Sequence, residues 1–205
     1  MARTRDAEVT GPASRARIIG AAITLFAANG YPGTSLIAVA RAAGISQSGL
    51  LHHFPDKEVL LTGVLAEMDR QTLESVDADR EYEGPALVRA FDIIEAIVAR
   101  NQQNRELIKL VHVGIFNTDN APEAARVWAQ ERLHRMRTDL SGLIEQAVSA
   151  GEARADVDPA ALASVIIATI SGLEEQWLID DSFDMVSAIR GLTDILRRDL
   201  LSSSP

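Results

Sequence analysis

The sequence predicts an all-α fold of about nine helices, and three features of the chain predict it. Apolar residues recur at intervals of three and four through most of the 205 residues, which is the spacing of an amphipathic helix. Helix-capping residues and Gly or Pro joints stand between these apolar stripes. No segment alternates apolar and polar residues over the length of a strand. We therefore expect a three-helix N-terminal head followed by a helical-bundle body.

Four helices are predicted in the first third of the chain. The first begins at the cap Ser14 and ends near Gly30. The second runs from the cap Ser35 to Gly44, and the third covers about residues 47–54. The apolar stripes of the first and fourth helices are Ile19, Ala22, Ile23 and Phe26, and Leu61, Val64, Leu65 and Met68.

The body is predicted to hold the remaining helices, separated by joints at 84–85, 121–122, 151 and 180–184. Asp158 followed by Pro159 combines a cap with a first-turn proline. The expected domains are a flexible arm at 1–13, a head at 14–62 and a body at 63–205. The last two apolar stripes are Leu162, Val165, Ile166, Ile170, Leu173 and Trp177, and Met185, Ile189, Leu192 and Leu196.

The net charge of −9 hides a difference between the two parts of the chain. Residues 1–57 carry a net charge of +3, whereas residues 58–205 carry −12. A basic head on an acidic body is typical of a protein whose head binds a polyanion. The absence of cysteine excludes disulfides, Cys-ligated zinc and a thiol nucleophile. We expect a cytoplasmic protein with no signal peptide, no segment that spans a membrane and no membrane partner.

Residues 35–54 have the spacing of a helix-turn-helix. Residues 43–46 join two short helices, and Gly44 supplies the backbone freedom that the turn needs. In such a motif the second helix lies in the major groove of DNA and the first crosses the phosphate backbone. Leu50 and Phe54 are expected to face the core of the head, with Gln47, Ser48, His52 and His53 on the outside.

Many fixed spacings run through the first 62 residues: Ile19, Ala22, Phe26, Gly30-Tyr31, Ser35, Val39-Ala40, Ala43-Gly44-Ile45-Ser46, Leu50, His53-Phe54, Lys57 and Leu60. In these residues the chain resembles the N-terminal domain of TetR-family (tetracycline repressor-like) transcriptional regulators. The remainder is similar to that family only in length and helix count. The resemblance implies a homodimeric, sequence-specific DNA-binding regulator, more often a repressor than an activator, that a small-molecule effector releases from its operator.

Carried over by position, the resemblance implies a set of DNA-binding residues: Thr34, Ser35, Gln47, Ser48, Gly49, Leu51, His52, His53 and Lys57. Ser35 would also cap its helix, and His53 and Lys57 would bind the phosphate backbone. Leu51 stands where the family usually has Tyr, so we expect an apolar contact to a thymine methyl instead of a phenolic contact. Ile37 stands where a polar or basic residue is frequent. Arg3 and Arg5 would enter a minor groove or form a solvated tail.

Dimerisation is expected to be part of the function. Two heads roughly 34 Å apart would fit a near-palindromic duplex of double-stranded DNA. The two C-terminal helices are suited to pair as a four-helix bundle, although a core within one chain is the alternative. The predicted dimer interface consists of Ile166, Ile170, Leu173, Ile189, Leu192 and Leu196.

A helical body has room for a small effector of unknown identity between its helices. Ordinary core packing is the alternative for every residue of the predicted pocket. That pocket is lined by Met68, Phe91, His112, Phe116, Trp128 and Trp177. The candidate polar anchors are His112, Gln103, Asn117 and Arg132.

Nothing in the sequence favours an enzyme. The chain has no Gly-rich phosphate loop, no Gly-x-Ser-x-Gly and no His-Glu-x-x-His. His52 and His53 point about 100° apart on a helix and cannot ligate one metal together, so neither a metal nor a cofactor is expected. The competing hypothesis is a helical ligand-binding or scaffold protein of the same fold that has lost operator binding, which Leu51, Ile37 and the modest positive charge favour.

Overall fold

The computed structural model describes residues 11–75, 84–115 and 121–201, and nine α-helices lie in these ranges. They are α1 Pro12–Gly33, α2 Leu36–Ala42, α3 Gln47–His53, α4 Lys57–Ser75, α5 Ala86–Gln102, α6 Arg105–Lys109, α7 Glu123–Ser149, α8 Pro159–Ile179 and α9 Met185–Leu200. A π-helical segment, Leu110–Ile115, continues α6. The described residues form no strand, and their extended pairing is an isolated bridge between Ala153 and Leu201. The predicted all-α class is confirmed.

Two of the three predicted helix caps are confirmed. Ser35 Oγ accepts from the backbone N–H of Ala38 at 3.2 Å, and Asp158 Oδ1 accepts from two backbone N–H groups at the start of α8. The prediction for Ser14 is wrong. The helix begins earlier, at Pro12, because proline presets the φ of a first helical turn. Ser14 is buried inside the helix, where it accepts from Arg17.

The first of two compact units contains residues up to Gln71 together with residues 106–129. The first four helices contribute most of its core, and α1 also packs against the segment Leu110–Ile115. Helical geometry in α1 breaks at Gly30, whose φ of 71° ends the regular helix where the sequence predicts. The largest fully buried side chains of this core are Ile18, Phe26, Leu50, Leu60, Leu61 and Leu110.

The second compact unit contains residues 72–105 and 130–205. In it, α5 packs against α8 and α9, and α8 packs against α9. The backbone N–H of Ala86, at the start of α5, donates to Glu152 Oε2 at 2.7 Å. Arg197 joins α9 to α5 because its guanidinium donates to Asp92 at 2.7 Å and to Glu95 at 2.9 Å. The largest fully buried side chains here are Leu87, Phe91, Ile144, Ile166 and Met185.

Four residues predicted for a dimer interface are instead core residues of the second unit, and we correct that prediction. They are Ile166, Ile170, Leu173 and Ile189, all 9% exposed or less. Their apolar stripes face neighbouring helices of the same chain, so little of their surface is left for a partner. Leu192 and Leu196 are half-buried and keep part of their surface. The most exposed large apolar residues of α8 and α9 are Val165, Ile179 and Ile195.

The prediction that no segment could span a membrane also needs correction. Within the described part of the chain, α8 is long and apolar enough to do so by length and composition, with a mean hydropathy of 1.3 over its best window. A core helix of a soluble protein passes the same test. Much of the apolar character of α8 is explained by its packing, because Ile166, Ile170 and Trp177 are buried in the core. Val165 lies on another face and is exposed.

Candidate nucleic-acid interface

The turn between α2 and α3 sets the direction of the candidate recognition helix. Gly44 has a φ of 68°, a conformation that L side chains rarely adopt. The backbone N–H of Gly44 donates to Arg41 O, and that of Ile45 donates to Ala40 O at 3.0 Å. These hydrogen bonds end α2 and form the turn that leads to α3. The sequence predicts both the turn and the glycine that it requires.

Leu50 and Phe54 hold α3 against the head, as predicted. Leu50 is fully buried, Phe54 is 2% exposed, and both belong to the core cluster of the first unit, against which Ile45 also packs. The guanidinium of Arg15 lies 5.3 Å from the centroid of the Phe54 ring. The Phe54 ring also reaches the backbone of α4 at Gly63. A Cβ atom at Gly63 would lie 2.7 Å from Phe54 Cε1, so this contact requires glycine.

Gly63→Ala is expected to destabilise the head. Overpacking costs about 1–3 kcal/mol, and only part of that cost is offset by the gain in helix propensity, about 1 kcal/mol. Gly20→Ala is the matched control, because a Cβ there meets nothing within 4 Å and should stabilise α1 by about 0.8–1 kcal/mol. Urea denaturation of both variants measures the difference. Equal stabilities would contradict the close approach.

The exposed side of α3 carries most of the residues predicted to contact DNA. Gln47, Ser48, Leu51 and His52 are exposed, and His53 is half-buried. The rings of His52 and His53 lie edge to face with centroids 5.9 Å apart. Leu51 is 38% exposed although it is a large apolar residue, and Ile37 on α2 is 52% exposed. The outer side of the motif is therefore polar, with two apolar side chains set into it.

Ser46 lies in the predicted turn but was not predicted to be a helix cap, although serine at the position before a short helix is a recognisable cap signal. Its Oγ accepts from the backbone N–H of Gly49 at 3.1 Å and lies 3.1 Å from Ser48 Oγ. Gly49 itself is buried. Its N–H is satisfied within the chain, so Gly49 shapes the start of α3 while Gln47 and Ser48 present side chains.

At the start of α2, the two neighbouring hydroxyl residues have different surroundings. Thr34 is 3% exposed, and its Oγ1 donates within the chain, with Gly30 O at 2.9 Å and Leu25 O at 3.1 Å as acceptors. The predicted DNA contact of Thr34 thus has no exposed hydroxyl to make it, and the side chain instead fixes the link between α1 and α2. Ser35 is exposed and caps α2.

Lys57 and Tyr31 form a pair beside the motif. The Lys57 ammonium lies 4.4 Å from the Tyr31 ring centroid, and its Nζ donates to Pro32 O at 3.3 Å. Partial burial lowers the pKa of Lys57 from its usual value, while burial, followed by Glu58 and Asp56, raises the pKa of Tyr31. The ammonium has three N–H donors, so the bond to Pro32 leaves donors for a phosphate oxygen.

The residues predicted for an effector pocket fall into both compact units. Met68 is buried in the first unit, where His112 is half-buried and Trp128 Nε1 donates to Asp69 at 2.9 Å. Phe91 and Trp177 are buried in the second unit, each beside a guanidinium, that of Arg197 and Arg105 respectively. The remaining predictions that lie outside the described residues are Phe116, Asn117, Arg3 and Arg5.

Two surface grooves lie on the first unit. One has a volume of about 440 Å³ between α1 and α2, and the other has about 380 Å³ between α1 and α4. Arg70, which borders the second groove, pairs with Glu67 at 2.6 Å and lowers the pKa of that carboxyl to about 2. Neither groove is lined by a residue of the predicted pocket. Among the described residues, no group of three or more His, Asp or Glu is arranged to hold a metal ion.

Two family models match the chain and together cover more than half of it. The model for bacterial regulatory proteins of the tetR family matches residues 18–64, which include the whole helix-turn-helix. The model for the tetracyclin repressor-like C-terminal domain matches residues 110–191. The chain belongs to the TetR family. This TetR-family protein is a DNA-binding transcriptional regulator, so the predictions of family, of function and of a chain that is not an enzyme are confirmed.

Curated relatives of this TetR-family regulator have related functions. The chain is 21% identical to the fatty acid metabolism regulator protein of Bacillus subtilis, over 88% of this chain and 92% of that one. It is 28% identical to the transcriptional regulator AcrR of Shigella flexneri, over 89% and 87% of the two chains. The hypothesis of a protein that has lost operator binding is not favoured by these relatives.

Solved structures share the fold of this TetR-family chain. FadR from Bacillus subtilis in complex with stearoyl-CoA superposes with a TM-score of 0.75 at 21% identity, covering 88% of this chain and 96% of that chain. A protein from Saccharomonospora viridis in complex with choline gives a TM-score of 0.77 at 20% identity, covering 92% and 98%. At these identities the likeness establishes the fold alone. TetR-family regulators bind operator DNA and small-molecule effectors.

Proposed function

We propose that this protein is a cytoplasmic homodimeric repressor that binds a near-palindromic operator and leaves it when a small effector binds in the body. The DNA-binding domain in this proposal is 14–62, preceded by an arm at 1–13 and followed by a body at 63–205. One observation supports the proposal most directly. The helix α3 is anchored by the buried Leu50 while Gln47, Ser48, Leu51 and His52 are exposed, as a helix that enters the major groove requires.

Each exposed residue of the motif has a task that suits its chemistry. Gln47 and Ser48 hydrogen-bond base edges at the start of α3, and Leu51 meets a thymine methyl. Ser35 and Lys57 donate to phosphates. His52 and His53 lie at the C-terminal end of α3, beyond the residues that contact the bases. We assign Thr34 and Gly49 a supporting part, because their polar groups are already bonded within the chain.

The proposed dimer interface uses the exposed sides of α8 and α9. Val165 is 58% exposed and Ile195 is 55% exposed, and Leu192 and Leu196 retain part of their surface. Ala161, Ala168 and Gly172 share the side of α8 that carries Val165. A Cβ atom at Gly172 or Gly191 would meet nothing within 4 Å, which leaves open space on each helix for another backbone to approach. Exposed apolar surface of this kind favours association with a second copy.

The helix α4 supplies a route from effector to operator. It is one continuous helix from Lys57 to Ser75, with Leu60, Leu61 and Val64 in the core of the first unit. Thr72, in its last turn, belongs to the second unit. An effector that binds the second unit and shifts α4 changes operator affinity. By thermodynamic linkage, operator binding changes effector affinity by the same coupling free energy, typically about 1–3 kcal/mol. The predicted pocket residues all belong to the proposed body at 63–205. Phe91 and Trp177 lie in the second compact unit, Met68, His112 and Trp128 lie in the first, and Phe116 is outside the described residues.

Lys57→Ala is expected to weaken binding to every DNA sequence alike and to flatten the dependence of log K on log salt. The slope should fall by about one unit for each Lys57, hence by about two for a dimer on both half-sites. Fluorescence anisotropy at several salt concentrations measures it, with a duplex recovered by selection from random sequences. The control is Gln47→Ala, which should relax preference at one base pair and leave the slope intact. An unchanged slope for the lysine variant would refute a phosphate contact.

A further inference from the structure

Arg100, on α5 in the second unit, is a guanidinium whose hydrogen-bond partners are all neutral. Its Nη1 donates to Thr72 Oγ1 at 3.3 Å and to Asn101 Oδ1 at 3.1 Å. Its Nη2 is buried and has no hydrogen-bond partner in the described part of the chain. A buried donor without an acceptor carries its full desolvation cost, and a charged donor carries more. Nη2 is therefore the donor of this guanidinium that is left for an additional acceptor.

Arg197 in the same unit shows how this chain treats a guanidinium with a structural task. It is paired with Asp92 at 2.7 Å, with Glu95 at 2.9 Å and with Asp194 at 3.4 Å. Carboxylates from two helices thus surround it. Arg100 differs from Arg197 in the kind of acceptor that it contacts, because it donates to a neutral hydroxyl and a neutral amide oxygen.

The surroundings of Arg100 are electropositive at one end. Arg132 Nη2, on α7, reaches the same Thr72 hydroxyl at 3.5 Å. Burial, and then the charge of Arg132, lowers the pKa of Arg100, while the charge of Glu174 raises it. Glu174 lies at the other end, where its Oε1 accepts from Asn101 Nδ2 at 2.6 Å. This carboxylate is thus bound to the same amide group that accepts from Arg100.

One side of the cluster formed by Thr72, Arg100, Asn101, Arg132 and Glu174 is more buried than the other. Asn101 and Glu174 are buried, whereas Thr72, Arg100 and Arg132 are half-buried. A ligand group therefore approaches from the side of the two guanidinium groups. Carboxylate and phosphate are the groups whose oxygens match the fork of guanidinium donors.

We propose that Arg100 and Arg132 bind the anionic group, a carboxylate or a phosphate, of the effector of this regulator. The inference rests on the proposed effector-responsive function and names the chemical class of its ligand. Thr72 brings the site to the last turn of α4, so the anion binds where that helix ends. Glu174 and Asn101 hold Arg100 from the opposite side.

Thermal unfolding of the full-length protein without DNA tests the proposal. The probes are acetate, inorganic phosphate, octanoate and octyl phosphate, with sodium chloride at matched ionic strength and octanol as uncharged control. A wild-type Tm rise of about 5–10 °C at hundredfold excess over Kd is expected for at least one anion, and Arg100→Gln should lose it. Comparison of octanoate with octyl phosphate separates a carboxylate ligand from a phosphate ligand. No shift by any anion, or equal shifts in both proteins, overturns the proposal.

Two further variants separate a ligand site from a structural one. In buffer without the probes, Arg100→Gln should keep its Tm, whereas Arg197→Gln should lower it because its carboxylates lose their partner. A decrease for Arg100→Gln as large as that for Arg197→Gln overturns the proposal. If Arg100→Gln does not fold, Arg132→Gln takes its place in the anion titration. A rise in Tm as large as that of the wild type would then contradict the proposal. Since no DNA is present, these outcomes are independent of the salt-slope test with Lys57→Ala.

Discussion

Val165→Glu is expected to turn the proposed dimer into a folded monomer that has lost most of its operator affinity. Val165 is 58% exposed in the single chain, so the charge disturbs little of the chain's own core. Glutamate also has a higher helix propensity than valine. In a symmetric interface the substitution places two carboxylates in an apolar contact, and an uncompensated buried charge costs about 3–5 kcal/mol. Loss of bivalent binding should lower operator affinity by about 10²- to 10⁴-fold.

Sedimentation velocity at micromolar concentration measures the mass, and anisotropy measures operator affinity. The matched control is Val127→Glu on α7, because Val127 is also exposed, at 41%, but belongs to the first unit, whereas α8 and α9 belong to the second. That variant should remain dimeric. A dimeric Val165→Glu variant that binds its operator normally would show that another surface pairs the two copies.

The head is the part of this protein that the sequence predicts best, because its local signals agree with one another. Gly44 supplies the turn, Ser35 supplies a cap, and the spacing of Leu50 and Phe54 places the core side of α3. Each of these features acts over four residues or fewer. Ser14 fails as a cap for an equally local reason, since Pro12 starts the helix before it.

The body is harder to predict because an apolar stripe does not say what covers it. Ile166 and Ile170 have the pattern of an interface residue and of a core residue alike, and the structure places both in the core. Val165 belongs to the same apolar stripe and is nevertheless exposed. The arrangement of Arg100, Asn101 and Glu174 joins residues 73 positions apart, which no local pattern indicates. Long-range polar contacts of this kind depend on the tertiary packing of helices.

Leu50→Ala and Leu51→Ala, at adjacent positions of α3, are expected to fail in different ways. Leu50 is fully buried, so its truncation should cost about 2–5 kcal/mol of stability and, by loosening α3, binding to all operators. Leu51 is 38% exposed, and its truncation should change stability by less than about 0.5 kcal/mol. It should instead reduce preference at one thymine by about 1 kcal/mol, roughly fivefold. Urea denaturation and anisotropy with thymine-to-uracil duplexes measure the two effects, because uracil lacks the methyl group. If Leu51→Ala loses no preference for thymine over uracil, the Leu51 side chain does not contact the thymine methyl. If Leu51→Ala unfolds as readily as Leu50→Ala, α3 presents a different side to DNA.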